Sequence, residues 1–270
     1  MDFDLFTKLV DECAAGGVYS IRLSFRGESF LHKQIVECVR YAKVKGIKEV
    51  SSLTNGVRLD EQMFADIMHA GIDWLTISID GMGETYEEIR RPSKFDRMIE
   101  KLTNFRRIRD EAERVKPVIK VQSIFPAIQD DPDAFYNTFL PITDMVSANP
   151  LIDYLRNDDA DQILFHENFT CPQLYQRLVI GADGSAMMCS NDEENEFVVG
   201  DANTHTIYQI WHGEAMNKAR ELHQAHRGHK DIAPCRKCYL PRRTRDDVVS
   251  IDDRDIVVPN YINRTQKIGA

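Results

Sequence analysis

Apolar and polar positions fall into two alternating rhythms over the first 150 residues. From Asp2 to Ala14, Phe6, Val10 and Cys13 share one helix face, and Gly16-Gly17 closes the segment. Val18–Phe25 then predicts a strand, Leu31–Lys45 a helix stopped by Gly46, and Glu49–Leu53 a strand. Asp60–His69 predicts a helix stopped by Gly71, and Trp74–Ile79 is a nearly continuous apolar run, as in a strand buried on both faces. Lys94–Val115 carries a helical stripe at Met98, Leu102, Phe105 and Ile108. Val118–Ile124 is the next strand, and Thr143–Ser147 a weaker one after the proline-punctuated segment 126–141. Strands alternating with helices give an α/β fold on a parallel sheet, open or closed into a barrel.

Past residue 150 the pattern changes. Asp153–Phe169 is polar and acidic. Arg177–Ile180 and Ala186–Cys189 flank the turn Ala182-Asp183-Gly184, a hairpin signal. Ile207–His223 predicts one helix with Ile207, Ile210, Trp211 and Ala215 on a face, and a charged stretch follows from Arg242. The expected division is therefore a sheet domain at 1–150, a second module at 151–241 and a charged tail at 242–270.

That second module holds the chemistry. Cys171, Cys189, Cys235 and Cys238 read C-x12-G-x4-C, a long gap, then C-x2-C. Pro234 and Pro241 are expected to hold the last pair in a turn rather than a helix. Four thiolates suit Zn2+ or a [4Fe–4S] cluster about equally on ligand chemistry. A module this small would struggle to bury a core unaided, so a metal staple makes physical sense. Cys13 and Cys38 fall on apolar helix faces and read as packed thiols.

Composition narrows the class. With 43% hydrophobic and 29% charged residues, the 270-residue chain reads as a soluble globular protein. No apolar run approaches the roughly 20 residues that span a bilayer, so no membrane association is expected. A cytoplasmic setting, where thiols stay reduced, fits grouped cysteines that bind metal. The net charge of −9 argues against a nucleic-acid partner, and Arg242, Arg243 and Arg245 read as a solvated tail. His223, His226 and His229 read as solvated or capping groups at a helix end, and Asp158, Asp159, Asp161 and Glu167 as loop-solvating acids.

The strand ends carry a resemblance. Arg26-Gly27-Glu28-Ser29 follows the first strand, Thr54-Asn55-Gly56 the second, and Ser78-Ile79-Asp80-Gly81 with a later Arg90 the third; Val121-Gln122 lies on the fourth. With Gly184-x4-Cys189, Ile210-Trp211 and Pro234-Cys235-x2-Cys238, this order resembles the radical S-adenosylmethionine (radical SAM) superfamily, specifically members with a C-terminal SPASM/Twitch auxiliary-cluster domain. The resemblance implies a partial (β/α)6 TIM-like radical SAM barrel with a small C-terminal metal-binding domain. It implies S-adenosylmethionine contacts at Glu28, Asn55, Ser78, Arg90 and Gln122, and one auxiliary [4Fe–4S] cluster on the four cysteines. Glu28 would accept from the cofactor's ammonium and Arg90 would pair with its carboxylate.

The family's Cys-x3-Cys-x2-Cys loop, which holds the catalytic [4Fe–4S] cluster, does not occur in the sequence. The expectation is a family member that begins one β-unit late, with that catalytic cluster present only if an N-terminal segment is restored, and inactive as this chain alone. For the complete form the resemblance implies an oxidoreductase of the dehydrogenase branch acting on a sugar-like or cyclitol alcohol, with peptide modification as the competitor. It also implies a flavodoxin- or ferredoxin-type electron donor. The alternative is a non-catalytic Zn or Fe–S scaffold or electron-transfer subunit.

Overall fold

The computed structural model describes residues 1–151, 163–251 and 253–262. They form two compact units: one holds 17–151, 247–251 and 253–258, the other 1–16, 163–246 and 259–262.

In the first unit, five strands form one parallel sheet in sequential order: β1 (Ser20–Arg22), β2 (Glu49–Thr54), β3 (Trp74–Ser78), β4 (Val118–Ile124) and β5 (Met145–Asn149). Between them run α2 (Ile35–Val44), α3 (Glu61–Ala70), α4 (Gly83–Ile89), α5 (Phe95–Glu111) and α6 (Pro132–Phe139). This is the α/β, partial-barrel architecture expected from the sequence. One sheet face is apolar and buried through Val50, Leu75, Ile77, Ile119 and Val121, covered by Phe64, Leu102, Phe105 and Phe135. Phe64 and Phe105 stack with centroids 4.5 Å apart. Each such side chain contributes about 1.5–3 kcal/mol by leaving water.

Two carboxylates with cationic partners, Asp73 and Asp144, pin the amino ends of the central strands. Asp73 accepts from Lys43 (2.7 Å), Lys116 (2.6 Å) and the Val50 amide (2.8 Å). Asp144 accepts from the Ile119 amide at 2.7 Å and is paired with buried Arg109. Burial opposes ionisation of Asp73, but the two lysines outweigh it and hold its carboxyl below the usual range.

Several boundaries differ from the sequence reading. The helix expected over Leu31–Lys45 starts at Ile35, because Ser29–Leu31 closes a separate tight turn. The helix expected over Lys94–Val115 stops at Glu111, with Glu113 left-handed at φ 53°. Helix α6 lies inside the segment read as proline punctuation; Pro132 occupies its first turn, where no amide is needed, and Asp131 caps Ala134 at 2.9 Å.

The other unit begins with α1 (Phe3–Ala15), which the expected division had placed with the sheet. Leu5 and Leu9 join a core with Leu174, Met188, Ile210 and Met216. Glu12 accepts from the Ile207 amide at 2.6 Å, and Lys8 donates to the His205 carbonyl at 3.0 Å. The expected hairpin is present as β6 (Val179–Ile180) and β7 (Ser185–Met187), and a third antiparallel strand, β8 (Val198–Asp201), pairs with β7. The single helix expected over Ile207–His223 is two, α7 (Ile207–Trp211) and α8 (Glu214–Gln224), broken at His212-Gly213.

The short helical turns α9 (Gly228–Asp231) and α10 (Ala233–Arg236) follow. Pro234 therefore does not keep Cys235 off a helix; it starts a one-turn helix that contains it. The stretch read as a charged tail pairs as β9 (Thr244–Ile251) with β10 (Arg254–Tyr261). Arg242, read as solvated, is 3% exposed, stacked 4.9 Å over Tyr261 and bonded to the Lys237 carbonyl at 2.7 Å.

Candidate metal centre and strand-end site

The cysteine module brings its four thiols to one pocket. Cys171 sits at the mouth of the turn Pro172–Tyr175, Cys189 follows β7, Cys235 lies in α10, and Cys238 comes just after it. All four are buried and line a pocket with Leu174, Met188, Asn191, His223, Pro234 and Leu240. Burial pushes every one of these thiols up, Cys189 to about 11, and neighbouring cysteines add to the rise. Four mutually repelling buried thiolates are stable only around positive charge, so the donor set fits a metal group. Sulfurs edging a shared pocket suit a multi-iron cluster, in which each thiolate takes its own iron.

Donors already point at these sulfurs. The Leu240 amide and the Asn191 side-chain amide each reach Cys238 Sγ at 3.4 Å. His223 is 1% exposed, and its ring lies between two of the four cysteines. Its Nδ1 accepts from the Cys171 amide at 3.4 Å, and its Nε2 is 3.5 Å from Cys235 Sγ. Burial, with His229 alongside, lowers its pKa to about 4. With Nδ1 accepting from the amide, a neutral ring carries its proton on Nε2, the nitrogen that faces Cys235 Sγ. The solvated role expected for His223 and His229 is thus wrong, since both are buried; His226 is exposed. The missed signal was the α8 stripe Met216, Ala219, His223, which puts that histidine on the core face. Cys13 is half-buried and Cys38 buried, each pushed up to about 11 chiefly by burial.

In the sheet unit, the singled-out polar residues gather at the carboxyl ends of neighbouring strands, where parallel α/β folds bind ligands. Register puts Ser78 beside Gln122. The carboxylate of Glu28 accepts from Thr54 Oγ1 (2.6 Å) and the Phe30 amide (3.1 Å) on one oxygen and from the Asn55 amide (2.8 Å) on the other. A carboxylate offers about four acceptor positions, so one remains open. Asn55 folds back, its Oδ1 accepting from Val57 at 2.9 Å. Gly56 and Gly81 are left-handed (φ 74° and 87°), and a Cβ on Gly81 would meet Thr85 Cγ2 at 2.6 Å.

Arg90 is ion-paired with buried Asp80, which also accepts from the Ile124 amide at 3.1 Å. Arg90 Nε is buried without a hydrogen-bond partner. Asp80 was quoted only as part of a motif; the structure makes it the residue that aims Arg90. Of the loop acids, Glu167 is exposed, and Asp158, Asp159 and Asp161 lie outside the described residues.

A parallel α/β sheet with polar strand ends, and a separate small module closed around four cysteines, define a two-part α/β protein with a candidate metal centre. The sequence comparisons give its family. Residues 1–114 match the radical SAM superfamily, and residues 171–239 match SPASM, an iron–sulfur cluster-binding domain. The chain belongs to the radical SAM superfamily and carries a SPASM domain.

A GTP 3',8-cyclase of Chlorobaculum tepidum is 39% identical over 94 residues, 34% of this chain and 28% of that protein. An Fe-coproporphyrin III synthase of Methanosarcina barkeri is 34% identical over 82 residues, 30% of this chain and 20% of that protein. The matched stretches thus span less than a third of these relatives. Among solved structures, BtrN in complex with AdoMet and 2-DOIA superposes with a TM-score of 0.58 at 19% identity, covering 96% of this chain and 86% of that one. The AdoMet-bound anSMEcpe gives 0.59 at 14% identity, covering 83% and 75%. At these identities the likeness shows the fold. No helix among the described residues is long and apolar enough to cross a membrane.

Proposed function

We propose that this chain belongs to a cytoplasmic radical SAM oxidoreductase whose Twitch-type module holds one auxiliary [4Fe–4S] cluster. The observation that carries this reading is the convergence of Cys171, Cys189, Cys235 and Cys238 on one buried pocket within the SPASM match. When bound, such a cluster supplies a one-electron acceptor or donor. Glu28 presents its remaining acceptor position to the ammonium of S-adenosylmethionine, and Arg90, held by Asp80, presents Nε to its carboxylate. Ser78, Gln122 and Asn55 offer hydrogen bonds at the same strand ends. The substrate in this reading is a sugar-like or cyclitol alcohol undergoing dehydrogenation, with a peptide as the competitor, and the electron donor is of flavodoxin or ferredoxin type.

Anaerobic reconstitution tests the metal: the expected product is brown, absorbs near ~400 nm and carries about four irons and four sulfides, whereas a colourless protein with one zinc refutes it. S-adenosylmethionine binding tests the strand ends: Glu28→Gln and Arg90→Ala should each weaken it by about 1.5–3 kcal/mol with cluster content unchanged, and equal affinity in all three proteins refutes the assignment. Because the sequence contains no Cys-x3-Cys-x2-Cys, this chain alone should not form 5′-deoxyadenosine with dithionite; detecting it overturns that expectation.

A further inference from the structure

The turn that holds Glu28 is itself held by helix α5. Residues 54–57 fold into two overlapping side-chain turns: Thr54 Oγ1 accepts from the Gly56 amide at 3.0 Å, and Asn55 Oδ1 accepts from the Val57 amide at 2.9 Å. The Thr54 hydroxyl and the Asn55 amide are two of the three donors to the Glu28 carboxylate. The Gly56 and Val57 carbonyls both accept from Lys101 Nζ, at 2.7 and 3.2 Å. Lys101 is half-buried, and burial lowers its pKa. Its acceptors are two neutral carbonyls rather than a carboxylate, so the ammonium gives up water for two directed bonds to one turn. Met98, three residues earlier on the same helix face, packs against Gly56: a Cβ there would meet Met98 Cε at 3.1 Å and Ile77 Cγ2 at 3.2 Å. Helix α5 therefore fixes the turn twice, by contact through Met98 and by hydrogen bonds through Lys101.

We propose that Lys101 is a positioning residue for S-adenosylmethionine binding. By gripping the Gly56 and Val57 carbonyls it keeps the Asn55 amide and the Thr54 hydroxyl on Glu28, and so aims the open acceptor position of that carboxylate. The assignment rests on the reading of Glu28 as the partner of the cofactor's ammonium. Lys101 acts through the backbone of residues 54–57; without its ammonium the peptide planes at Gly56 and Val57 are free to rotate, and the two donors to Glu28 lose their fixed direction.

Amide NMR and calorimetry on the full chain test it, the first without ligand and the second with S-adenosylmethionine. Lys101→Met keeps an unbranched stem and loses the ammonium. In it the Asn55 amide proton should move upfield as its bond to the Glu28 carboxylate loosens, and S-adenosylmethionine affinity should fall at least about fivefold. Lys101→Arg, which can still donate to both carbonyls, should stay within about twofold of the wild type. In a Glu28→Gln background, Lys101→Met should cost less than about twofold, because the carboxylate it serves is gone. Exposed Lys218→Met should alter neither reading. An unmoved Asn55 resonance or an unchanged affinity in Lys101→Met overturns the proposal. So does an equal loss in both backgrounds, which would make Lys101 a structural residue with no link to Glu28. Wild-type protein that does not bind S-adenosylmethionine, with the Asn55 resonance still responding to Lys101→Met, refutes the proposed function and leaves the coupling of Lys101 to Glu28 standing. Lys101→Gln, shorter and neutral, gives the same two readings where Lys101→Met does not fold.

Discussion

Replacing Gly228 by alanine perturbs the cysteine pocket from behind. A Cβ there would stand 2.3–2.4 Å from Cδ2, Nε2 and Cε1 of His223, closer than side-chain carbons approach one another. The ring cannot swing away: it is 1% exposed, in edge contact with Phe169, and tied to the Cys171 amide and Cys235 Sγ. Either α9 shifts or the ring is driven toward the sulfurs. Overpacking of this kind costs about 1–3 kcal/mol, which for a chain of this length corresponds to a melting temperature lower by about 2–10 °C. The strain falls on groups that contact two of the four cysteines, so iron and sulfide content after anaerobic reconstitution should fall with it. A double-mutant cycle isolates the cause. In a His223→Ala background the added methyl has room, so Gly228→Ala should cost far less there than in the wild type. An equal cost in both backgrounds, or unchanged melting temperature and iron content in the single variant, would refute the argument.

Asp73→Asn should destabilise the sheet unit by roughly 2–3 kcal/mol in denaturant melts, since it strands Lys43 and exposed Lys116 beside a buried site. Because the folded-state pKa of Asp73 is depressed, its contribution is present above the unfolded value of about 3.9 and is lost as pH falls through the lower folded value. The wild-type stability curve should therefore drop at acid pH more steeply than that of Asp73→Asn, and parallel curves would dismiss the linkage. Asn191→Leu removes a donor to Cys238 Sγ and should shift the reduction potential of the reconstituted cluster to a more negative value without loss of iron. Potentiometric titration followed by EPR reads this, and an unchanged potential would show that the contact does not tune the cluster. Thr54→Val removes the hydroxyl bonded to Glu28 and should weaken S-adenosylmethionine binding while leaving far-UV dichroism intact. Unaltered affinity would show that this bond does not orient Glu28.

The sequence by itself determined the α/β class, the order of the strands and the identity of the residues at their carboxyl ends. Those features are written in local periods and in turn residues, and three of the strands, β2, β3 and β4, are read to within a residue of their bounds. The grouping of Cys171, Cys189, Cys235 and Cys238 was legible for the same reason: turn-associated spacings leave few other uses for thiols. What only the tertiary structure decided concerns partners far apart in the chain. Helix α1 looked like the opening of the sheet domain, yet its apolar face is claimed by Leu174, Met188 and Met216, more than 150 residues on. His223 looked solvated by its polar neighbours, yet it is buried with its two ring nitrogens against the Cys171 amide and Cys235 Sγ. Arg90 was visible as a cation, but its aim depends on Asp80. Period and spacing fix what each segment is; long-range packing decides which charges are buried together, and so which chemistry they share.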